Sequence, residues 1–374
     1  MSIKLIFQLI LGVFSFNPKN MRWFNLKRIF FCLLILPFFL LLLIINHFFL
    51  LLDYLLFPRF LSQKIEKPVF IIAAPRSATT FLFHILAKQS KKYTSVKLWE
   101  IIFAPSISQK IFFISIFKID LFFGAFLKKG ILSFENLLIG KFKKIHKIGL
   151  ELPEEDEGFL IWNLSTLYLT FFYPDSDFFK EFYQFDNSMN KKKKDKIMKT
   201  YKRYIKRHNF VFNKSASRQF LSKNPLMMNK IEGIHSIFPD AQILNINRNL
   251  GETLPSTLEL NRTIYKAFTS IKPSYEINQT TMEQLIDWYL MANINLEKYF
   301  NDQHLKIDFN LLVNQNEDQL KKIIDFLKIE MKDFILPAKK EVKSHKSTNK
   351  YEPLTKDQLI PILQKLPFMN EYCS

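Results

Sequence analysis

Residues 67–86 read KPVFIIAAPRSATTFLFHIL. Val69 to Ala74 is a short apolar run of the kind that fills a buried parallel strand. It stops at Pro75-Arg76-Ser77-Ala78-Thr79-Thr80, and an amphipathic segment, Phe81 to Ala87, follows at once. The pattern predicts strand, tight turn, helix, with the helix over Thr80–Lys88. The turn carries one cation, Arg76, and three hydroxyls, Ser77, Thr79 and Thr80. A helix N-terminus offers free N–H groups and a positive dipole end. With an arginine fork beside it, such a turn holds a phosphate-like anion.

A second organised block lies between Phe220 and Leu260. Phe220 to Lys223 reads as a strand end, and Asn224 before Pro225 disfavours helix. Asn229 to Phe238 is predicted helical and Pro239-Asp240 breaks it. Ala241 to Ile246 is a strand closed by Asn247-Arg248-Asn249, and Gly251 to Leu260 opens a new helix carrying Thr253, Ser256 and Thr257. Strand, helix and strand at this spacing predict a βαβ unit in a parallel sheet.

Upstream, Ile29 to Phe57 runs for 29 residues with no charge before Asp53. That exceeds the roughly 20 residues that span a bilayer. A basic, aromatic flank (Lys19, Arg22, Trp23, Lys27, Arg28) precedes it, and only Arg59 and Lys64 follow closely. The run predicts a membrane anchor region over residues 1–66, with a globular domain over 67–374. It allows a single span, a hairpin turning near Asn46-His47, or a segment lying in the interface. Positive-inside places the N-terminus in the cytoplasm. A hairpin or interfacial segment keeps the domain on the cytoplasmic face, and a single span puts it on the opposite side.

Composition limits the partners. Lys and Arg number 53 against 34 Asp and Glu, a net charge of +19, which suits nucleotide phosphates, nucleic acid or an acidic membrane surface. Lys191 to Lys194 reads as a solvated loop or helix start rather than a nucleic-acid site. The two cysteines, Cys32 and Cys373, build no disulfide framework or cysteine-rich metal site. The histidines are dispersed, and no metal-ligand spacing occurs. Ser95 to Ala104 is strand-like or loop-like, and Phe159 to Tyr173 is an aromatic helix. Ile111 to Leu127 is either a core helix or a second membrane-facing patch. Downstream come a helix over Met282–Tyr299, a strand over His304–Phe309, a helix over Gln315–Leu327 and a basic tail from Lys339 to Lys350.

These residues resemble the sulfotransferases that use 3′-phosphoadenylyl sulfate (PAPS). AAPRSATTFL resembles their 5′-phosphosulfate loop, usually P-R-S-G-T-T. LSKNPLMMNKIEGIHSIFPDAQILNINRNLGETLPSTLEL resembles their second block, in which a Lys-x-Pro turn and an FPDA helix end precede a strand ending in Arg, with a Ser eight residues on. LPEEDE (residues 152–157) resembles the P-Q-E-D-E stretch of one branch, and SHKSTNKY (residues 344–351) a C-terminal basic segment that closes over the nucleotide. The resemblance covers about Lys67 to Leu260 well.

It implies a P-loop-like parallel sheet flanked by helices, the sulfotransferase fold, with the hydrophobic N-terminal segment ahead of it. It also implies a donor site made by Arg76, Ser77, Ala78, Thr79 and Thr80 on the 5′ side and by Arg248 and Ser256 at the 3′-phosphate. Arg76 doubles as a catalytic cation. Glu100, placed after the second strand as in related enzymes, becomes the candidate base for an acceptor hydroxyl or amine. Glu154, Glu155 and Glu157 are alternatives, suited to shape the acceptor site or pair with basic residues. Expected partners are PAPS and its product PAP, an acceptor that is lipid-linked or a glycan, and the bilayer. No metal is expected. Ala78 replaces the loop glycine, Ala73 replaces a common glycine before it, and Arg248-Asn249-Leu250 stands for a usual R-D-P. Those changes leave open a membrane-anchored nucleotide-binding protein without transferase activity. A P-loop kinase is a weaker alternative, because the loop lacks the lysine that Mg²⁺-triphosphate chemistry needs.

Overall fold

A computed structural model of the chain describes residues 26–140, 148–171, 179–269, 275–331 and 334. Its centre is a sheet of five parallel strands: β1 (Val69–Ala73), β2 (Tyr93–Thr94), β3 (Gln219–Lys223), β4 (Gln242–Asn247) and β5 (His304–Asp308), in the order β2-β3-β1-β4-β5. Every residue of β1 is buried, because helices cover both faces of the sheet. Alternation then sorts the strand residues. Phe70, Ile72, Phe220 and Ile243 point into one core, while Val69, Ile71, Leu221 and Leu244 point into the other.

Nine α-helices of seven or more residues surround the sheet among the described residues. They are α1 (Leu26–Leu56), α2 (Thr79–Ala87), α3 (Ile107–Phe122), α4 (Phe126–Ile139), α5 (Lys191–Phe212), α6 (Ile231–Ile237), α7 (Leu250–Thr269), α8 (Tyr275–Tyr299) and α9 (Glu317–Leu327). β1 lies between β3 and β4, with Val69 opposite both Leu221 and Gln242. The two blocks of sequence are therefore neighbours, and their turns emerge at the same edge of the sheet. This is where ligands bind in open α/β sheets.

Several expectations shift. Ser95–Ala104 contains a short helix, Leu98–Ile102, whose first turn is capped by its own Glu100. The described part of the predicted helix Phe159–Tyr173, residues 159–171, is not α-helical, and its last two residues lie outside the described residues. Residues 156–163 and 167–171 are two 3₁₀ segments separated at Leu164, which takes a left-handed conformation (φ 54°). The 3₁₀ turn tightens a stretch buried on all sides, where 3.6-residue periodicity confers no advantage. The lysine run starts α5, and Asn190 caps it by accepting the Lys192 N–H at 3.0 Å. The tail from Lys339 to Lys350, including the basic segment compared above, lies outside the described residues.

α1 runs unbroken through Asn46-His47 with Pro37 inside it, so the chain does not reverse there. Its portion Leu33–Leu56 is long and apolar enough to cross a membrane. Two polar residues in the run face the domain. Asn46 accepts from Gln109 Nε2 at 2.6 Å. Asp53 is fully buried and accepts from the N–H groups of Ile107 (2.8 Å) and Ser108 (3.0 Å), and from Arg207 Nε at 2.9 Å.

Candidate active site

The loop after β1 takes its shape from two left-handed residues, Arg76 (φ 67°) and Ala78 (φ 56°). Alternation of this kind turns successive N–H groups toward one side, the arrangement that makes anion-binding concavities. Ala78 is the N-cap of α2 and supplies no capping side chain, while Thr79 and Thr80 form the first helical turn. The missing glycine thus falls on a residue whose backbone favours glycine. An L-residue in this region costs about 1–2 kcal/mol, offset in part by the larger entropy a glycine loses on folding. Ala78→Gly should therefore raise stability by about 0.5–1 kcal/mol in a denaturant titration. A loss of stability would show that the loop does not hold this conformation in solution.

The second block closes on the loop. Arg76 Nε donates to Ser256 Oγ of α7 at 2.9 Å. Arg248, just past the end of β4, donates from Nη1 to the carbonyl of Arg76 at 2.6 Å. Its Nε pairs with Glu252 at 3.1 Å, and its guanidinium lies 4.1 Å from the centre of the Phe309 ring. Asn249 accepts the Gly251 N–H at 2.7 Å and so starts α7. Arg76, Arg248 and Ser256, separated by up to 180 residues, form one hydrogen-bonded set.

Three buried side-chain atoms near these strand ends have no hydrogen-bond partner: Ser77 Oγ in the loop, Asn224 Nδ2 after β3 and Asn247 Oδ1 at the end of β4. Buried polar atoms are nearly always satisfied, so orphans gathered at one edge of a sheet fit a site that takes a polar ligand. Of the three, the sequence marks only Ser77 as a site residue. The asparagines are ordinary turn residues until the sheet brings them together.

The acidic stretch packs beside this edge. Lys223, fully buried at the end of β3, holds Glu155 at 2.7 Å and Glu154 at 3.8 Å. Burial alone would lower its ammonium pKa, but Glu155 and Glu154 outweigh that and raise it. Lys230 lies 3.2 Å from Glu157, whose carboxyl burial pushes upward. Asp156 accepts from Tyr201 and from Ser222 Oγ (2.7 Å), yet burial pushes it up to about 6. These carboxylates pair with basic and hydroxyl groups, one of the two roles read from the sequence.

Glu100 belongs to a different network. It is buried, and Lys97 N–H donates to one oxygen at 3.0 Å. His208 Nδ1 lies 2.8 Å from the other, with Lys110 Nζ at 3.8 Å. Burial would raise its pKa, but the charge and hydrogen bond of His208, then Lys110, hold it below the usual carboxylate range. His208 Nε2 is in turn 2.8 Å from Thr94 Oγ1 of β2.

Residues 171–333 match the family described as "Sulfotransferase family". Over that span the chain is similar to this family. The matched span runs from before α5 to just past the end of α9 and includes Arg248 and Ser256, while the loop after β1 precedes it. Two curated relatives, the omega-hydroxy-beta-dihydromenaquinone-9 sulfotransferases of Mycobacterium bovis and Mycobacterium tuberculosis, are each 21% identical over 281 residues, 73% of this chain. The match spans 66% of their length, just under two thirds. Two crystal structures share the fold. Sulfotransferase STF9 from Mycobacterium avium superposes with a TM-score of 0.64 at 17% identity, covering 86% of this chain and 81% of its own. Sulfotransferase STF1 from Mycobacterium tuberculosis gives 0.62 at 12% identity, covering 97% and 91%.

Proposed function

We propose that this chain moves a sulfuryl group from PAPS to a hydroxyl or amine of an acceptor delivered by the membrane. The carrying observation is the hydrogen-bonded set Arg76–Ser256–Arg248 at the C-terminal edge of β1 and β4, with the unsatisfied atoms Ser77 Oγ, Asn224 Nδ2 and Asn247 Oδ1 around it. A nucleotide carrying both a 5′- and a 3′-phosphate needs two cationic subsites, and this edge has two arginines on two helix starts. Arg76, the loop N–H groups and the Ser77, Thr79 and Thr80 hydroxyls suit the 5′ side. Arg248 and Ser256 suit the 3′-phosphate. Residues 67 onward form the catalytic domain in this reading, and the preceding 66 form the membrane-associated region.

The donor supplies a sulfuryl group on a phosphate leaving group. The acceptor oxygen or nitrogen bonds to sulfur as the sulfur–phosphate oxygen bond breaks. PAP departs with the bonding pair, and the acceptor proton goes to a base. Transfer of this kind depends on positioning and charge stabilisation. Arg76 is placed to neutralise charge gathering on the departing phosphate. Glu100 is the candidate base, although the lowered pKa that its His208 and Lys110 partners impose makes it a weaker proton acceptor. Its burial and its partners on α3 and α5 also suit a structural anchor.

The curated relatives are named for a hydroxylated menaquinone, an isoprenoid lipid. Together with α1 they favour an amphiphilic acceptor with a hydroxyl. The test incubates the full chain with radiolabelled PAPS and a membrane lipid extract. A labelled lipid is expected. Absence of any labelled product, with no PAP binding at millimolar concentration, would overturn the proposal. In the same assay Glu100→Gln should lower kcat by about 10²-fold while Tm and PAP affinity hold. An unchanged kcat, or a fallen Tm with kcat per folded molecule intact, would make Glu100 an anchor instead.

A further inference from the structure

Three helices on one side of the domain are built inside-out for a protein in water. α4 buries Glu135, which accepts the Leu150 N–H at 3.2 Å, and turns Phe126 (74% exposed) and Leu137 (80%) outward. α3 buries Lys110 and Gln109 and exposes Phe112, Ile119 and Phe122, the last at 86%. α1 buries Asn46 and Asp53 and exposes Leu51 and Leu55. A surface helix of a water-soluble protein has the opposite arrangement. The three helices are one continuous surface, because Asp53 and Asn46 of α1 bond to the start of α3, and α3 leads through Gly124 into α4.

We infer that α1, α3 and α4 together form a face that enters a single leaflet of an anionic bilayer, with α1 lying along the membrane surface from Phe39 to Leu56 rather than crossing it. This deepens the membrane-delivered acceptor reading and rests on it. Phe39 stacks on Trp162 at 5.6 Å, Asn46 meets Gln109, and the Leu50 carbonyl and Asp53 carboxylate both take hydrogen bonds from Arg207. About 21 Å of α1, from Phe39 to Asp53 at 1.5 Å per residue, is therefore tied to the domain. An upright helix would carry those contacts through a hydrocarbon core about 30 Å thick, and the domain with them.

Charge identifies the occupant. Lys118 and Lys129 stand exposed among the outward apolar residues. Beside α1, an open cleft lined by Leu50, Leu51, Thr200 and Arg203 sets an exposed cation of α5 next to the apolar face. Apolar side chains rimmed by cations match an interface of acyl chains and anionic head groups. A second copy of this basic chain would bring like charges together.

The experiment uses the full chain with phosphatidylcholine vesicles and with vesicles containing phosphatidylglycerol. The chain should bind both, and the anionic vesicles more tightly. The variant F122D/F126D, changed only at exposed positions, should partition at least 10-fold less with Tm unchanged. Equal binding by variant and parent would overturn the inference while leaving membrane association by α1 standing. Failure of the parent chain to bind any vesicle would overturn both. A fluorophore on Leu137→Cys, in a background with Cys32→Ser and Cys373→Ser, should be quenched more by lipids brominated near the head group than near the chain end. The reverse order would show a deeper insertion than one leaflet's interface allows. If F122D/F126D instead converts a dimer to a monomer in light scattering and leaves vesicle binding intact, the face is a self-interface and the inference fails.

Discussion

Arg76→Ala should lower kcat/KM for sulfuryl transfer by about 10³-fold or more, the scale seen when a transition-state arginine is removed from phosphoryl-transfer enzymes. Arg76 follows the central strand directly, and its Nε reaches α7 at Ser256. One guanidinium thus stands between the helix that starts after β1 and the helix that starts after β4. Removing it deletes the loop's cation and its link to the second block. The fold should persist, because Arg76 contributes no side chain to either hydrophobic core. Arg76→Lys keeps the charge but loses the planar fork, so it should restore only part of the rate. Initial-rate measurements at saturating acceptor, with PAP calorimetry alongside, separate lost binding from lost catalysis. Full activity in Arg76→Ala at unchanged Tm would show that the loop after β1 is not where sulfuryl transfer takes place.

The parts of this site that were legible in the sequence are those written in local chemistry. Val69–Ala74 declared a buried strand by being continuously apolar. Arg76 and the hydroxyls declared the turn, and Asn247-Arg248-Asn249 declared the end of β4. A parallel sheet places such strand ends side by side, so two local readings became one site. What was not legible depends on partners distant in sequence. β2 has only two residues, Tyr93 and Thr94, and owes its strand pairing to β3 rather than to its own pattern. Glu100 looks like any surface glutamate until His208 and Lys110 are found around it. The run from Ile111 to Leu127 fits a core helix or a membrane-facing one equally well, because periodicity shows which residues share a face but not what the face meets. Its exposure in the structure excludes the core helix, and the membrane-facing role is the inference drawn above. Residues 159–170 differ from expectation for a related reason: burial on all sides removes the amphipathic signal that distinguishes helix types.

Asp53 shows how much of the assembly a single residue in an apolar run can control. Its carboxylate accepts from two backbone N–H groups at the start of α3, from the Ser108 hydroxyl at 2.9 Å and from Arg207 Nε, and it is wholly buried. Arg207 stays buried if Asp53 is lost, packed 4.3 Å from the Phe60 ring centre. Asp53→Ala should therefore cost about 3–5 kcal/mol, because it strands a buried cation and uncaps a helix at once. In a thermal melt that corresponds to a Tm lower by roughly 5–10 °C. Converting the pair to apolar residues, D53L/R207M, removes the stranded charge and should recover part of the loss, although the Ile107 and Ser108 N–H groups still lack a cap. A drop in Asp53→Ala of only a degree or two would mean that α1 is not stapled to the domain, and the surface-lying geometry of α1 would fall with it. A large drop relieved by the double change would place the energy in the charge pair. The consequence reaches Glu100 as well, since α3 carries both the helix start that Asp53 caps and Lys110, whose ammonium lies 3.8 Å from the Glu100 carboxylate. Asp53→Ala should then loosen the Glu100 network along with the α1 contact, and hydrogen exchange at the start of α3 should rise before exchange in β1 does.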